Sequence, residues 1–362
     1  MEAITIINIL MVLVLAAGSK FGLKRSLMPV VCIIMICFFG IRYNYGNDYP
    51  SYESMFRVIG SNSVETVRKY RIGLEYGWIY VNKWMQPFGF QALVFIHTII
   101  QMGTACWFIN KYASIKWQWA IFALYVFWPA LMLTQLSMMR QTVAMCIVMW
   151  GVPYLLKRKY LIFSLFPLLA AQFHTSGYVG FLFIIIFLIR KWDYRWLMLI
   201  YVTVFFAFYL TPAWVVALID QALDNKSLTK YNYYMNEAKT LTQMRTGMGF
   251  IYQALYALFL LFIMKYKSTD KRFFILSLVV YYVTTPLSGS IGNLNRLFLY
   301  LLLPGIVSFQ PMAERSRNDA MAMAFLIGFS FFIIFSYNYF FYDPIYTKYF
   351  KEYQTIFSTN AY

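Results

Sequence analysis

Apolar runs as long as a bilayer-spanning helix follow one another along almost the whole chain, separated by short connections rich in lysine and arginine. A hydrocarbon core asks for about 20 consecutive apolar residues per helix. Within lipid every backbone N–H and C=O needs an internal partner, which leaves helices and closed barrels as the only spanning structures. Runs this long read as helices. Of the 362 residues, 61% are hydrophobic and only 12% charged, more apolar side chain than a water-soluble domain covers. The expectation is an all-α polytopic membrane protein, one domain over 1–362, with about 12 transmembrane segments, some short or re-entrant. The first run, Ala3 to Ala17, has no basic residue ahead of it and no small-residue cleavage site after it, so it reads as helix one rather than a removable signal.

The formal charge of +17 is carried by cations dispersed at helix ends rather than gathered in a basic domain. Positive-inside anchoring accounts for that distribution, and no nucleic-acid partner is expected. Cys32, Cys37, Cys106 and Cys146 all fall inside apolar runs, where free cysteine behaves as a small hydrophobe, so neither a disulfide framework nor a zinc site is implied.

Basic loops set the sidedness. Lys20, Lys24 and Arg25 lie between the first two runs and belong inside, which turns Arg42 outward. An outer loop then covers 42–88, a second covers 218–248, and the tail 342–362 is also outer. Glu65 to Lys69 and Gly73 to Gly77 read as short surface helices with polar breaks within the first loop, and the run from Trp117 to Leu136 reads as one membrane segment. The run from Leu161 to Ile189 is interrupted by Phe173-His174-Thr175-Ser176-Gly177 and flanked by Lys157 to Lys159 and by Arg190, Lys191 and Arg195. Both clusters favour the inside, yet each half has only about 14 residues, about 21 Å of helix against a core of about 30 Å. A short hairpin with His174 near its tip meets both demands. The competing reading, one long tilted helix, inverts every later loop and moves most of their cations outside.

Side chains able to carry chemistry gather at the outer ends. The stretch from Arg42 to Phe56 ends a membrane helix in a mouth of tyrosines (Tyr43, Tyr45, Tyr49, Tyr52) and carboxylates (Asp48, Glu53), with Gly46 and Pro50 shaping the turn. Aromatic faces stack on sugar rings, and carboxylates accept hydroxyl hydrogen bonds; an interfacial tyrosine belt has the same composition. Arg42, Arg140, Arg245 and Arg296 sit at outer ends of apolar runs, where the positive-inside bias expects few cations. Each presents a planar fork suited to phosphate, although any one of them also reads as a cation snorkelling to the interface. His174 lies at a break in the membrane, with an intrinsic pKa near neutrality suited to a proton-transfer or phosphate-orienting role. His97 and Gln101, four apart on one helical face, read instead as an interhelical hydrogen-bond seam. The chain holds no glycine-rich nucleotide loop, zinc spacing, Gly-x-Ser-x-Gly elbow or calcium loop. An outward-facing enzyme without nucleotide machinery needs a donor already activated and already in the membrane. Lipid-pyrophosphate sugars meet both requirements; no cofactor is called for, and a divalent metal is left open.

Taken in order, Gly46-Asn47-Asp48-Tyr49 with Tyr52 and Phe56, then Glu75 and Gly77, then Arg140-Gln-Thr-Val-Ala, then Phe173-His174-Thr-Ser, then Asn295-Arg296 with Tyr300 and Pro304, and finally Asp343-Pro-Ile-Tyr346, resemble the EpsG/Wzy-like family of bacterial polysaccharide polymerases. Asn47 stands where the family usually has threonine, and Ile345 loosens the last element. The resemblance implies a GT-C-like glycosyltransferase bundle in the bacterial cytoplasmic membrane, its active site facing the periplasm or cell exterior. The implied reaction moves a growing glycan from a polyprenyl-pyrophosphate carrier onto the non-reducing end of an incoming lipid-linked repeat unit. Arg140 and Arg296, assisted by Arg42 and Arg245, would bind pyrophosphate. His174, Asp48 or Glu75 would take the acceptor proton, and Tyr45, Tyr49, Tyr52 and Asn295 would hold sugar. The implied partners are polyprenyl-pyrophosphate-linked oligosaccharides, the lipid bilayer, a chain-length regulator and other polysaccharide assembly proteins. The rival readings are a multipass O-acyltransferase acting on surface glycans and a lipid-linked oligosaccharide flippase or transporter.

Overall fold

The computed structural model describes residues 2–70, 74–209, 248–288, 292–316, 320–342, 350 and 352–358. Arg245, the loop 218–247, the Asp343 to Tyr346 element and the Asn295 side chain lie outside the described residues. The fold is all-α apart from one two-residue strand pair. Among the described residues three helices are long and apolar enough to cross a membrane, and eight shorter apolar helices run 10–17 residues. These helices fit the expected all-α membrane class, and the figure of about 12 passes remains part of the proposed reading.

Two compact units make up the chain, one of residues 1–181 and 327–362, the other of 182–326. Their boundary falls inside the apolar run after His174, where no composition change marks it.

In the first unit α1 (Glu2–Lys20), α2 (Met28–Gly40), α6 (Phe90–Tyr112), α7 (Ile115–Phe127), α9 (Met139–Leu156) and α10 (Tyr160–Ala170) form the apolar bundle. Burial separates its centre from its rim: 61% of the apolar window of α6 and 72% of that of α9 is buried, against 28% for α1. Helix α6 packs on α2 and α9, and α9 packs on α10. The indole N–H of Trp150 donates to Thr104 Oγ1 at 3.0 Å, a polar tie between α9 and α6 of the kind that adds directionality where hydrophobicity alone supplies none. Gln101 donates to the Met132 carbonyl at 3.0 Å and to the Tyr125 hydroxyl at 3.3 Å, so the seam expected on that face of α6 is present.

The run from Trp117 to Leu136 is not one helix. Helix α7 stops at Phe127, Trp128 is extended, and a short α8 (Met132–Ser137) follows. Pro129 explains the break, because a proline ring excludes the α conformation from the residue before it. The final stretch of the long helix Ala320–Tyr342 closes on the same unit, with Tyr337 hydrogen bonded to Thr5 at 2.9 Å and ringed against Phe127, and Phe329 edge-on to Trp128.

Between α2 and α6 the chain forms a layer of its own: strand β1 (Arg42–Tyr43), α3 (Tyr49–Ser61), α4 (Val64–Tyr70) and α5 (Tyr76–Met85). The tail returns here. Strand β2 (Gln354–Thr355) pairs antiparallel with β1, Arg42 opposite Thr355 and Tyr43 opposite Gln354, and Tyr353 stacks on Phe38 at 4.5 Å.

After α10 the chain reverses. The 3-10 helix Thr175–Phe181 packs back along α10, Gly177 against Ala170 and Ala171 and Gly180 against Pro167, and this reversal puts His174 at a tip. The second unit continues with α11 (Leu182–Ile189), α12 (Tyr194–Tyr209), α13 (Met248–Ile263), α14 (Thr269–Ser288), the 3-10 helix Gly292–Leu301, α15 (Leu302–Ile306) and α16 (Phe309–Ser316). It is organised around α14, against which α11, α12, α13, α15 and the 3-10 helix all pack.

Candidate functional site

The first loop is pinned at Gly46, whose φ of +112° is one that glycine alone adopts without strain. A Cβ at Gly46 would stand 3.2 Å from Ser137 Cα, so the turn lies directly on the end of α8. The Asp48 backbone N–H donates to Ser137 Oγ at 3.1 Å, and α3 begins at once with Pro50 in its first turn, where proline is tolerated. One turn on, the Tyr52 hydroxyl accepts the backbone N–H of Arg140 at 3.4 Å. That amide is in the first turn of α9 and has no partner within its own helix, so the tyrosine acts as a side-chain cap. Burial pushes the Tyr52 phenol above its ordinary pKa, which keeps it protonated there.

Glu75 is the extended residue that precedes α5. Its Oε2 is 2.7 Å from Arg140 Nη1, while its Oε1 accepts the Thr175 backbone N–H at 2.9 Å and the Thr175 hydroxyl at 3.1 Å. The two ion-paired side chains are 13% and 10% exposed, enough burial to escape most solvent screening yet open on one side. The next residues hold this geometry. A Cβ at Gly77 would stand 2.6 Å from the Gln172 carbonyl oxygen, and the Trp78 N–H donates to that same oxygen at 3.3 Å. The N-terminus of α5 is thereby docked on the 171–174 turn, with His174 beside Thr175. The His174 Nδ1 accepts the Ser176 N–H at 3.2 Å and lies 2.6 Å from the Ser176 hydroxyl.

Glu75, Arg140, Tyr52 and the His174 tip thus form one cluster, with Asp48 anchored to the residue three before Arg140. Arg42, Tyr45 and Tyr49 lie outside this cluster. Arg42 is fully buried: its Nη1 donates to the Phe39 carbonyl at 2.9 Å and to Thr98 Oγ1, and its Nη2 reaches His97 Nδ1 at 3.3 Å and the Leu136 carbonyl at 3.4 Å. No face of that guanidinium opens to a ligand in this arrangement. Tyr45 is also fully buried, edge-on to Phe350 and Tyr353, because the tail covers it. Tyr49 is buried against Phe90 with its hydroxyl on Gln91 Oε1 at 3.2 Å. Arg296 is half-buried in the 3-10 helix of the second unit. Sequence reasoning missed Thr175 and Ser137 as the residues that orient Glu75 and seat the loop. Thr175 had a signal, since it sits inside the polar break at the hairpin tip. Among the described residues no three His, Cys, Asp or Glu side chains gather as for a metal ion.

The sequence model of the EpsG family matches residues 25–355 of the 362. The chain belongs to the EpsG family. No curated protein and no solved structure matches it. The EpsG-family match takes in every residue of the cluster, from Gly46 to Ser176, as well as Arg296 in the second unit. It covers the two compact units alike.

Proposed function

We propose that this EpsG-family membrane protein is a polysaccharide polymerase that transfers a growing glycan from a polyprenyl-pyrophosphate carrier to an incoming lipid-linked repeat unit at the outer leaflet. The observation that carries the reading is the Glu75–Arg140 ion pair with Thr175 on its free oxygen, because it joins a cation suited to pyrophosphate to a carboxylate suited to a hydroxyl proton. Arg140 receives the pyrophosphate, its planar fork meeting the charge that develops as the carrier departs. The same event draws the guanidinium away from Glu75. The acceptor hydroxyl oxygen then attacks the anomeric carbon, the bond to the pyrophosphate oxygen breaks and carries its electron pair away, and Glu75 takes the hydroxyl proton.

Since His174 Nδ1 accepts an N–H, its neutral ring carries the proton on Nε2. His174 therefore acts as a donor that orients phosphate or sugar oxygens, leaving the base role to Glu75 or to Asp48. Arg296 and Arg245 keep the pyrophosphate role that the family resemblance implies for them. Arg42, buried and hydrogen bonded, is assigned to holding β1 on α6 rather than to substrate. The GT-C-like bundle of about 12 passes, facing the periplasm or exterior, and the partnership with a chain-length regulator belong to the same reading.

Analysis of carrier lipids in a strain lacking the gene tests it. Single lipid-linked repeat units accumulating on the outer face are the expected result. Accumulation on the inner face would instead identify a flippase, and full-length polymer lacking acyl groups an acyltransferase.

A further inference from the structure

Helix α5 carries Glu75 at one end and a hydrocarbon-lined groove at the other. The groove has a volume of about 520 Å³, within the range of small-ligand sites. Trp84 and Phe88, Phe95 and Ile96 of α6, and Ile41 and Ile356 are among its lining residues. Gln91 is the one polar side chain in the lining, and it is already spent: its Nε2 donates to the carbonyls of Gly40 and Arg42 at 2.9 and 3.2 Å, and its Oε1 accepts the Tyr49 hydroxyl at 3.2 Å. A sugar placed here would lose its water with no hydrogen bonds in return, whereas a hydrocarbon chain loses nothing.

The solvent-facing side of α5 and its following turn leads from the ion pair to this groove. Tyr76, Tyr80, Trp84 and Phe88, at four-residue spacing, are all exposed, Trp84 and Phe88 by 74% and 67%, while Trp78, Ile79, Asn82 and Met85 face inward. Arg68 stacks its guanidinium on Tyr76 at 3.9 Å, and the outward aromatic rings beyond it have the composition of the belt that membrane proteins place at the headgroup level. The ten residues of α5 span about 15 Å. A lipid whose pyrophosphate rests on Arg140 has its tail delivered to the groove by that span.

We propose that the groove between α5 and α6 is the bed for the isoprenoid chain of the pyrophosphate-linked glycan, entered sideways from the bilayer past Trp84 and Phe88. The proposal rests on the polymerase reading for the identity of the headgroup, and it names the part of the substrate that the charged cluster leaves unbound. A bilayer phospholipid has a chain of similar chemistry, but its single phosphate diester lacks the pyrophosphate that would draw it toward Arg140.

The test uses the full-length protein in lipid nanodiscs with two photoreactive probes, a diazirine-bearing polyprenyl pyrophosphate and a diazirine-bearing phosphatidylglycerol. The polyprenyl probe is expected to label residues 84–96, and unlabelled polyprenyl pyrophosphate to compete it away. Ala92→Trp, which fills the groove, and Trp84→Ala, which removes an exposed lining side chain without touching the core, should each cut that labelling about fivefold or more, the order of one lost aromatic contact. Equal labelling by the phospholipid without competition, or unchanged labelling in both variants, overturns the proposal. Polymer assembly in cells separates the two readings. Full-length polymer from a protein whose groove takes no isoprenoid label removes the groove alone, and a labelled groove in a protein that assembles no polymer removes the polymerase.

Discussion

Thr175 gives both its backbone N–H and its hydroxyl to the same oxygen of Glu75, at 2.9 and 3.1 Å. With Oε1 held in this way, Oε2 is left to point at Arg140, so the carboxylate has one orientation before any substrate arrives. Two donors from one residue at the start of a 3-10 helix form a rigid holder, because backbone and side chain are fixed together.

Removing the hydroxyl tests that holder. Thr175→Val keeps shape and the backbone donor but loses a hydrogen bond to a charged group, worth about 1.5–3 kcal/mol. Polymer made per molecule of membrane-inserted protein should fall about tenfold or more, and Thr175→Ser, which keeps the hydroxyl, should restore most of it.

Arg140→Lys keeps a positive charge near Glu75 but replaces the fork with a point charge. Membrane levels should stay normal while polymer length and yield collapse, as read on glycan gels. Full-length polymer from this variant would take Arg140 out of the reaction.

Glu75→Gln keeps an oxygen for Thr175 while removing the charge that competes with pyrophosphate for Arg140. Binding of a polyprenyl-pyrophosphate donor should be equal to or tighter than that of the parent, and turnover should fall by about 100-fold, the range of a lost general base. Loss of binding together with turnover would show that Glu75 holds substrate instead.

At Gly77 there is no room for a methyl group, since the nearest atom is a backbone oxygen that cannot rotate away. Gly77→Ala should cost about 1–3 kcal/mol and lift α5 from the 171–174 turn. Reduced thermal stability of purified protein and a more than proportional loss of polymer would both follow.

Arg42→Ala takes a donor from the Phe39 and Leu136 carbonyls and from Thr98 in the interior and leaves a cavity where a large side chain was. The expected loss is about 3 kcal/mol or more, seen as a fall in folded protein. Near-normal protein levels with abolished donor binding would return Arg42 to the substrate site.

How much of this was legible depended on sequence distance. The first run, Ala3 to Ala17, lies within α1 (Glu2–Lys20), because uniform apolarity ending at basic residues is a local signal. The reversal at His174 was legible for the same reason, from two basic flanks and two halves too short to span. The stop at Phe127 was written in Pro129 but masked by the apolar residues on either side. Partnerships were another matter. Glu75 meets Arg140 across 65 residues and Thr175 across 100, and no periodicity reports such pairs. Arg42 looks like any cation ending a membrane helix; its burial depends on Thr98 and His97 of α6, and that of Tyr45 on Phe350 and Tyr353.

The pairing of β1 with β2 ties residues 42–43 to residues 354–355. During synthesis the strip that covers Tyr45 therefore appears only after the bundle bearing Glu75 and Arg140, which waits in the membrane for it. A nascent chain stalled before Phe350 would already contain every residue of the reactive cluster, yet would lack the clasp that closes over Tyr45.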